Sequence, residues 1–224
     1  MTMTWLPHYL PEGTVYGVLL NFQRETALWA DRMNQDPYKA PPKAPVLYVK
    51  TANTFTPSGH DVPLAADVPE VEVGAAVGLI MGEPGQGPVA CALFSDLAVP
   101  HESYFRPPVK FRCRDGFLGV GRDAIALAAV GGLEGLQKHL LEVRVDGVLR
   151  QTVQLGDMVR EASVLLADVA EFMTLQRGDV LLLGSDCLAD GSRPRAKVGD
   201  TVEVSAAGFK PVVTHFVAEE EVTA

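Results

Sequence analysis

Residues 141 to 155, LEVRVDGVLRQTVQL, restrict the possible folds of this chain more than any other stretch. Apolar and polar residues alternate on both sides of Asp146-Gly147, and successive side chains of a strand point to opposite faces. The Asp-Gly dipeptide readily adopts the positive φ angles of a two-residue hairpin turn. The stretch therefore predicts an antiparallel hairpin with one face on a hydrophobic core.

Other apolar runs bounded by turn residues predict further strands, at 14 to 21, 46 to 50, 73 to 81, 89 to 95 and 179 to 184. No fixed repeat, low-complexity tract or linker separates these runs. We therefore expect one mixed α+β domain, mainly β, over residues 1–224, in which residues 1–13 are a loosely ordered N-terminal extension.

Helical spacing of apolar residues is found in two stretches. The first, FQRETALWADRM at 22 to 33, predicts a helix whose apolar side holds Leu28, Trp29 and Met33. The second, at 156 to 175, is the clearest helix prediction, with Asp157 as the candidate N-cap. Its predicted apolar face consists of Val164, Leu165, Val169 and Phe172.

The composition excludes several classes of protein. The 28 acidic residues exceed the 19 basic ones, giving a net charge of −9, whereas nucleic-acid binding needs clustered Lys and Arg. The N-terminus has no basic segment followed by an apolar one, and no run approaches the roughly 20 apolar residues of a membrane span. We therefore expect a cytoplasmic protein without nucleic-acid or membrane partners.

Common catalytic and metal-binding motifs are missing from the sequence. The five histidines are scattered, and no pair has the spacing of a zinc helix. Cys91, Cys113 and Cys187 include no CxxC pair and are expected to be buried thiols. Neither the serine-hydrolase motif GxSxG nor a phosphate-binding P-loop occurs.

The densest polar stretch, residues 95 to 121, is the remaining candidate for a site. Four bases in it lie close to Asp96 and Asp115, namely Arg106, Lys110, Arg112 and Arg114. Guanidinium groups hold carboxylates through two parallel hydrogen bonds, so the stretch could bind a carboxylate substrate. The alternative is a solvated loop with local ion pairs, and the residues alone leave both interpretations open.

The order of several segments resembles the fumarylacetoacetate hydrolase family. These segments are YGVLLNF, VLYVK with TANTF, GAAVGLIMG, FSDLAVPHES, FRCRDGFLGVG, FMTLQRGDVLLLGS and VGDTVEV. Each segment alone is a weak match, but the order of all of them along the chain is specific for this family. The resemblance implies the mixed β-sandwich or roll of the family's C-terminal domain, with a few helices.

A narrower resemblance is carried by YKAPPK, by the TANT after Lys50 and by SYFRPPVKFRCRDGF. These segments are similar to the N-terminal halves of bifunctional isomerase/decarboxylases of 4-hydroxyphenylacetate (homoprotocatechuate) degradation. The resemblance implies decarboxylation of 5-carboxymethyl-2-oxo-hex-3-ene-1,7-dioate and isomerisation of 2-hydroxyhepta-2,4-diene-1,7-dioate. It also implies a partner, either a homologous C-terminal-type sister subunit or a second copy of the chain.

The family resemblance further implies a Mg²⁺ or Mn²⁺ ion, held by a Glu-x-Glu strand and a later aspartate. Alignment back from Gly82 places the two glutamates on Gly74 and Ala76, and it leaves Asp96 as a remnant ligand. The family's lysine falls on Arg112, and a histidine frequent after the first strand falls on Glu25. Because one carboxylate is a poor Mg²⁺ site, we expect the ion to be absent from this chain or weakly bound.

The polar stretch and the family resemblance together predict the residues of the site, and they leave three functions open. Arg112 and Lys50 are the candidate catalytic residues, and Arg106, Lys110 and Arg114 are the candidate substrate-binding residues. The chain is expected to be the N-terminal-type subunit of a decarboxylase/isomerase with a degraded metal site. The alternatives are a non-catalytic structural partner and a metal-independent hydrolase or isomerase of a 2-oxo dicarboxylate.

Overall fold

The computed structural model describes residues 8–104 and 109–219, which form two packed β-sheets and a few helices. The strands are β1 (Val15–Leu19), β2 (Val46–Lys50), β3 (Phe55–Pro57), β4 (Asp61–Leu64), β5 (Val71–Met81), β6 (Pro88–Ala98), β7 (Leu118–Val120), β8 (Ile125–Ala126), β9 (Leu140–Val145), β10 (Val148–Gln154), β11 (Val180–Leu182), β12 (Arg195–Ala196), β13 (Thr201–Ala206) and β14 (Val212–Ala218). The helices are α1 (Gln23–Met33), α2 (Val109–Arg112), α3 (Gly132–Leu136) and α4 (Ala162–Ala170), with 3-10 turns at Ala52–Thr54, Leu127–Val130 and Leu155–Asp157. The predicted class, α+β and mainly β, is confirmed.

The larger sheet has nine strands and mixed strand directions. Its order is β2-β1-β11-β5-β6-β7-β3, with β12 beside β5 and β8 beside β6. β1 runs parallel to β11 and β3 to β7, whereas the other neighbours are antiparallel. The smaller sheet has the order β10-β9-β13-β14-β4. It contains the predicted hairpin, in which Asp146 and Gly147 have φ angles of 50° and 75°.

The central strand β5 is buried along its whole length. Its odd-numbered residues, such as Val73 and Val77, belong to the main core together with residues of the smaller sheet such as Val204. Its even-numbered residues lie on the opposite side, which we call the outer face of the larger sheet. There a Cβ added at Gly78 would come within 2.5 Å of the Phe94 side chain, so close packing requires glycine at this position.

The helix predictions are correct in place but wrong in several details. On α1, Met33 is buried and Trp29 partly buried, whereas Leu28 is exposed. α4 is shorter than the predicted 156 to 175, and Asp157 belongs to the preceding 3-10 turn, so it is not the N-cap.

The predicted apolar face of α4 is also only partly right. Leu165 and Val169 are buried, but Val164 and Phe172 are exposed. Successive helical residues are rotated by about 100°, so Val164 faces solvent when Leu165 faces the core. Phe172 lies beyond the last residue of the helix.

Residues 1–7 of the expected extension lie outside the described residues. The following residues are bonded to the domain, since Tyr9 N–H donates to the Arg122 carbonyl at 3.0 Å and Gly13 N–H to the Gly178 carbonyl at 3.1 Å. None of the helices within 8–104 and 109–219 has the length and hydrophobicity needed to cross a membrane.

Candidate functional site

Gly74 and Ala76, the positions at which the family resemblance implies glutamates, lie on the outer face of the larger sheet. Gly74 of β5 pairs with Asp96 of β6, and Ala76 pairs with Phe94, so all four residues share that face. A Cβ added at Gly74 would lie 2.7 Å from Ser185 Oγ. Ala76 is buried in a small apolar cluster that includes Phe94. Neither position has room for a longer side chain without movement of its neighbours.

Asp96 is held by a buried set of residues that we call the Asp96 cluster, namely Tyr48, Lys50, Asp96 and Arg112. Lys50 Nζ lies 2.7 Å from Asp96 Oδ1. The same ammonium donates to three backbone carbonyl oxygens, those of Leu97 at 2.7 Å, Arg112 at 2.7 Å and Phe117 at 2.8 Å. Burial lowers the pKa of Lys50, while the charge of Asp96 opposes this effect.

The second oxygen of Asp96 is also occupied. Tyr48 donates its hydroxyl hydrogen to Asp96 Oδ2, and Arg112 Nη1 lies 3.3 Å from the same atom. The Arg112 guanidinium also stacks over the Tyr48 ring, 4.5 Å from its centre. Burial alone would raise the pKa of Asp96, but the charges of Lys50 and Arg112 outweigh it and hold this pKa below its usual range.

A Mg²⁺ or Mn²⁺ ion, as the family resemblance implies, does not fit these residues. Hard divalent cations need several oxygen ligands, and Gly74 and Ala76 have no side-chain oxygen. The one carboxylate present, that of Asp96, already contacts the cations of Lys50 and Arg112. Among the residues that the structure describes, no three His, Cys, Asp or Glu side chains are grouped as metal ligands.

A second buried polar group lies on the same face and contains residues that the sequence analysis did not select. We call it the Arg193 cluster: Glu25, Tyr104, Ser185 and Arg193. Arg193 forms an ion pair with Glu25 Oε1 and donates to Tyr104 Oη at 3.2 Å. Tyr104 in turn donates to Glu25 Oε1 at 2.5 Å, and Leu20 N–H donates to Oε2 at 3.1 Å.

The charges within the Arg193 cluster are well compensated. Burial lowers the pKa of Arg193, but the charge of Glu25 more than offsets this and keeps the guanidinium protonated. Burial raises the pKa of Tyr104, which therefore stays a neutral hydrogen-bond donor. Glu25 was noticeable in the sequence as the replacement of a family histidine, whereas no pattern distinguishes Arg193.

The four bases of the polar stretch do not converge on one place. The structure describes three of these bases, and of the three only Arg112 contacts Asp96. Arg114 forms two hydrogen bonds with the exposed Asp67, at 2.8 Å and 2.9 Å, and Lys110 is exposed on α2. Arg106 lies outside the described residues.

His101 lies close to both clusters. Its Nδ1 is 2.8 Å from the Val99 carbonyl oxygen, so this nitrogen carries the hydrogen and Nε2 keeps its lone pair in the neutral ring. Burial, and then the charges of Arg112 and Arg193, lower the pKa of His101. Both arginines therefore act electrostatically on one half-buried imidazole.

Comparison with known families gives one match that covers nearly the whole chain. Residues 14–217 match the family described as "Fumarylacetoacetate (FAA) hydrolase C-terminal". The chain is 34% identical over 225 residues to the 4-hydroxyphenylacetate degradation bifunctional isomerase/decarboxylase of Escherichia coli, and 32% identical over 219 residues to that of Salmonella dublin. These matches cover 95% and 94% of this chain but 49% and 48% of the relatives. The chain thus spans about half the length of these relatives.

Solved structures with the same fold include two named enzymes. The 5-carboxymethyl-2-hydroxymuconate delta-isomerase of Mycobacterium smegmatis has a TM-score of 0.74 and 17% identity, over 95% of this chain and 79% of that one. The fumarylpyruvate hydrolase of Pseudomonas aeruginosa, in complex with Mn²⁺ and pyruvate, has a TM-score of 0.73 and 18% identity, over 92% of this chain and 90% of that one. At this level of identity the likeness concerns the fold alone.

Proposed function

The chain belongs to the fumarylacetoacetate hydrolase family, and on this premise we propose that it is the N-terminal-type half of a bifunctional decarboxylase/isomerase of 4-hydroxyphenylacetate catabolism. The substrates would be 5-carboxymethyl-2-oxo-hex-3-ene-1,7-dioate for decarboxylation and 2-hydroxyhepta-2,4-diene-1,7-dioate for isomerisation. The identity of 34% over nearly the whole chain supports this assignment. The proposal includes a cytoplasmic location.

The proposal also assigns the metal-dependent step to a second, homologous half of the enzyme, which is not part of this chain's sequence. The observation that carries it is the Asp96 cluster, in which Lys50 and Arg112 contact the one remaining carboxylate while Gly74 and Ala76 provide no ligand. A homologous half with the Glu-x-Glu strand would supply the Mg²⁺ or Mn²⁺ site. The half-length match to the relatives is consistent with such a partner.

Within this chain we propose different roles for the predicted residues. Arg112 is the proposed contact for a substrate carboxylate, because its Nε has no hydrogen-bond partner within the described residues, whereas all donors of Lys50 are used. Lys50 is a positioning residue in this proposal, since its ammonium is fully buried among four oxygen acceptors and cannot touch a substrate. Lys110 and Arg114 would affect substrate approach only through their charge.

We further propose that the chain associates with its homologous half, or with a second copy when isolated, through the exposed side of α4. Val159, Val164 and Phe172 are exposed apolar residues before, on and after this helix. An apolar groove of about 390 Å³ lies between α4 and the β5–β6 hairpin, and Leu166 and Met173 line it. Exposed apolar surface is typical of an interaction site, and we take a chain of related structure as its occupant because the relatives are about twice as long as this chain.

The test is an activity assay of the purified chain alone and together with a homologous chain that carries the Glu-x-Glu strand. Each mixture is measured with Mg²⁺ and with EDTA. We expect little turnover from this chain alone, and Mg²⁺-dependent turnover of the mixture that exceeds the turnover of the homologous chain alone. Full activity of this chain alone with Mg²⁺ would contradict the proposal. If adding this chain does not change the turnover of the homologous chain, the result would favour a purely structural role for this chain.

A further inference from the structure

A cavity of about 340 Å³ lies at the end of the larger sheet where β5 turns into β6. Among the described residues that line it, none belongs to the Asp96 cluster or the Arg193 cluster. Ile80 in its wall follows Ala76 by four residues on β5, which corresponds to about 13 Å along the strand. The cavity is therefore separate from the candidate functional site.

The wall of this cavity is partly apolar. Ile80 and Met81 of β5 line it together with Val89 of β6, an aliphatic residue that is 41% exposed. Tyr9 lines it as well and packs against the apolar cluster that includes Ile80. The volume lies at the lower end of the range of about 300 to 1,000 Å³ that is typical of small-molecule sites. The cavity can thus accept the apolar part of a small ligand.

The charged residues of the lining leave one negative charge uncompensated. Arg177 is the one cation among the described residues of the lining, and its Nη1 lies 3.3 Å from Glu83 Oε1. Glu12 lines the cavity too, and within the described residues it makes no ion pair. The nearby carboxylate of Asp179 accepts two backbone N–H groups and adds no positive charge. A ligand with one positive charge would therefore neutralise the lining.

Glu12 and the side chain of Tyr9 are close enough to influence each other. Burial, and then the charge of Glu12, raise the pKa of Tyr9. The Tyr9 hydroxyl is itself closed to solvent and has no hydrogen-bond partner in the part of the chain that the structure describes, so a ligand would meet the ring instead. An aromatic ring beside an unpaired carboxylate attracts organic cations, because the π-face and the carboxylate both carry negative charge.

We propose that this cavity binds a small organic ammonium ion with an apolar tail, such as a primary arylalkylamine. The ammonium group lies beside Glu12 and the ring of Tyr9, and the tail packs against Ile80, Met81 and Val89. An anion of the same size is disfavoured, because the one cation of the described lining is already paired. The inference is independent of the proposed function, since it involves neither the candidate functional site nor a second chain.

The experiment is isothermal titration calorimetry of the purified chain at pH 7 with 2-phenylethylammonium. We expect saturable binding, and affinity at least tenfold lower for 3-phenylpropionate, a molecule of similar size with the opposite charge. Glu12→Gln should weaken binding of the ammonium ion at least threefold, and so should Tyr9→Leu. Tyr9→Phe keeps the ring and removes only the unpaired hydroxyl, so it should bind like the unaltered chain.

Two further variants test the role of charge. Arg177→Gln removes the cation of the lining and should strengthen binding at least twofold, whereas Glu171→Gln, at an exposed position on another part of the chain, should leave it unchanged. Glu12, Arg177 and Glu171 are all exposed, so their variants remain informative if Tyr9→Leu fails to fold. Absence of saturable binding, equal affinity for the anion, or equal binding by Glu12→Gln and the unaltered chain would overturn the inference.

Discussion

Lys50 Nζ lies 2.7 Å from Asp96 Oδ1, and three carbonyl oxygens complete the surroundings of this fully buried ammonium. The contact joins β2 to β6 and to the segment from Arg112 to Phe117. The arrangement therefore holds the larger sheet and the following loop together.

Lys50→Met should strongly destabilise the fold. The substitution removes the main cation beside Asp96 and the three hydrogen bonds from Lys50 to carbonyl oxygens, and breaking one side of a buried ion pair costs about 3 kcal/mol or more. Urea denaturation would measure the loss. Lys110→Met, at an exposed position in the same part of the chain, should change stability by less than about 0.5 kcal/mol. Similar stability of both variants would contradict the structural role of Lys50.

Asp96 should make the fold less stable in acid. Its pKa is lowered in the folded chain, so its contribution is complete above the unfolded value of about 3.9 and is lost as the pH falls below it. Urea midpoints measured between about pH 6 and pH 3 should therefore fall less steeply for Asp96→Asn than for the unaltered chain. An unchanged pH dependence would contradict the prediction.

Asp186 provides a control with the opposite sign. Burial raises its pKa, so its carboxyl group favours the folded state when protonated, and this contribution is lost as the pH rises through the raised value. Asp186→Asn removes that contribution. The stability of this variant should consequently fall more steeply with acid than that of the unaltered chain, and a shallower decrease would count against the assignment.

The chain should bind no stoichiometric Mg²⁺ or Mn²⁺ at the family site. Gly74 and Ala76 provide no oxygen, and the Lys50 ammonium repels a second cation beside Asp96. Calorimetry with either ion measures this directly. Micromolar Mg²⁺ binding that disappears in Asp96→Ala would show that the prediction is wrong.

The exposed side of α4 should control self-association. Sedimentation of the isolated chain at tens of micromolar should show a dimer, and Phe172→Glu and Val164→Glu should shift it toward monomer, because a charge at an apolar contact must be desolvated. Val148→Glu, on the exposed β9–β10 hairpin, is the control and should leave the dimer unchanged. A monomer at these concentrations, with and without the homologous chain, would contradict the association proposal.

Local patterns in the sequence predicted much of the fold, because they depend on neighbouring residues. The Asp146-Gly147 turn is set by two adjacent residues, and the alternation around it fixes which side chains reach the core. The exact end of α4 was not predictable in this way, since Phe172 is compatible with a helix but its burial depends on packing.

The candidate site was predictable only in part. Asp96 and Arg112 were found through the family resemblance, and they contact each other in the structure. Arg193 was missed because its partner Glu25 is 168 residues away in the chain, and no local pattern records such a pairing. Proximity in sequence also suggested that Arg114 would join Arg112, yet its side chain binds Asp67 on the surface.

Arg112→Met should affect both stability and substrate binding. The variant removes the stacking on Tyr48 and one cation beside Asp96, but Lys50 and Tyr48 still hold that carboxylate, so the melting temperature should fall less than in Lys50→Met. In the reconstituted complex the Michaelis constant should rise at least tenfold, which corresponds to about 1.4 kcal/mol. A lower melting temperature with unchanged kinetics would restrict Arg112 to holding the site together. Unchanged stability and unchanged kinetics would remove Arg112 from both roles.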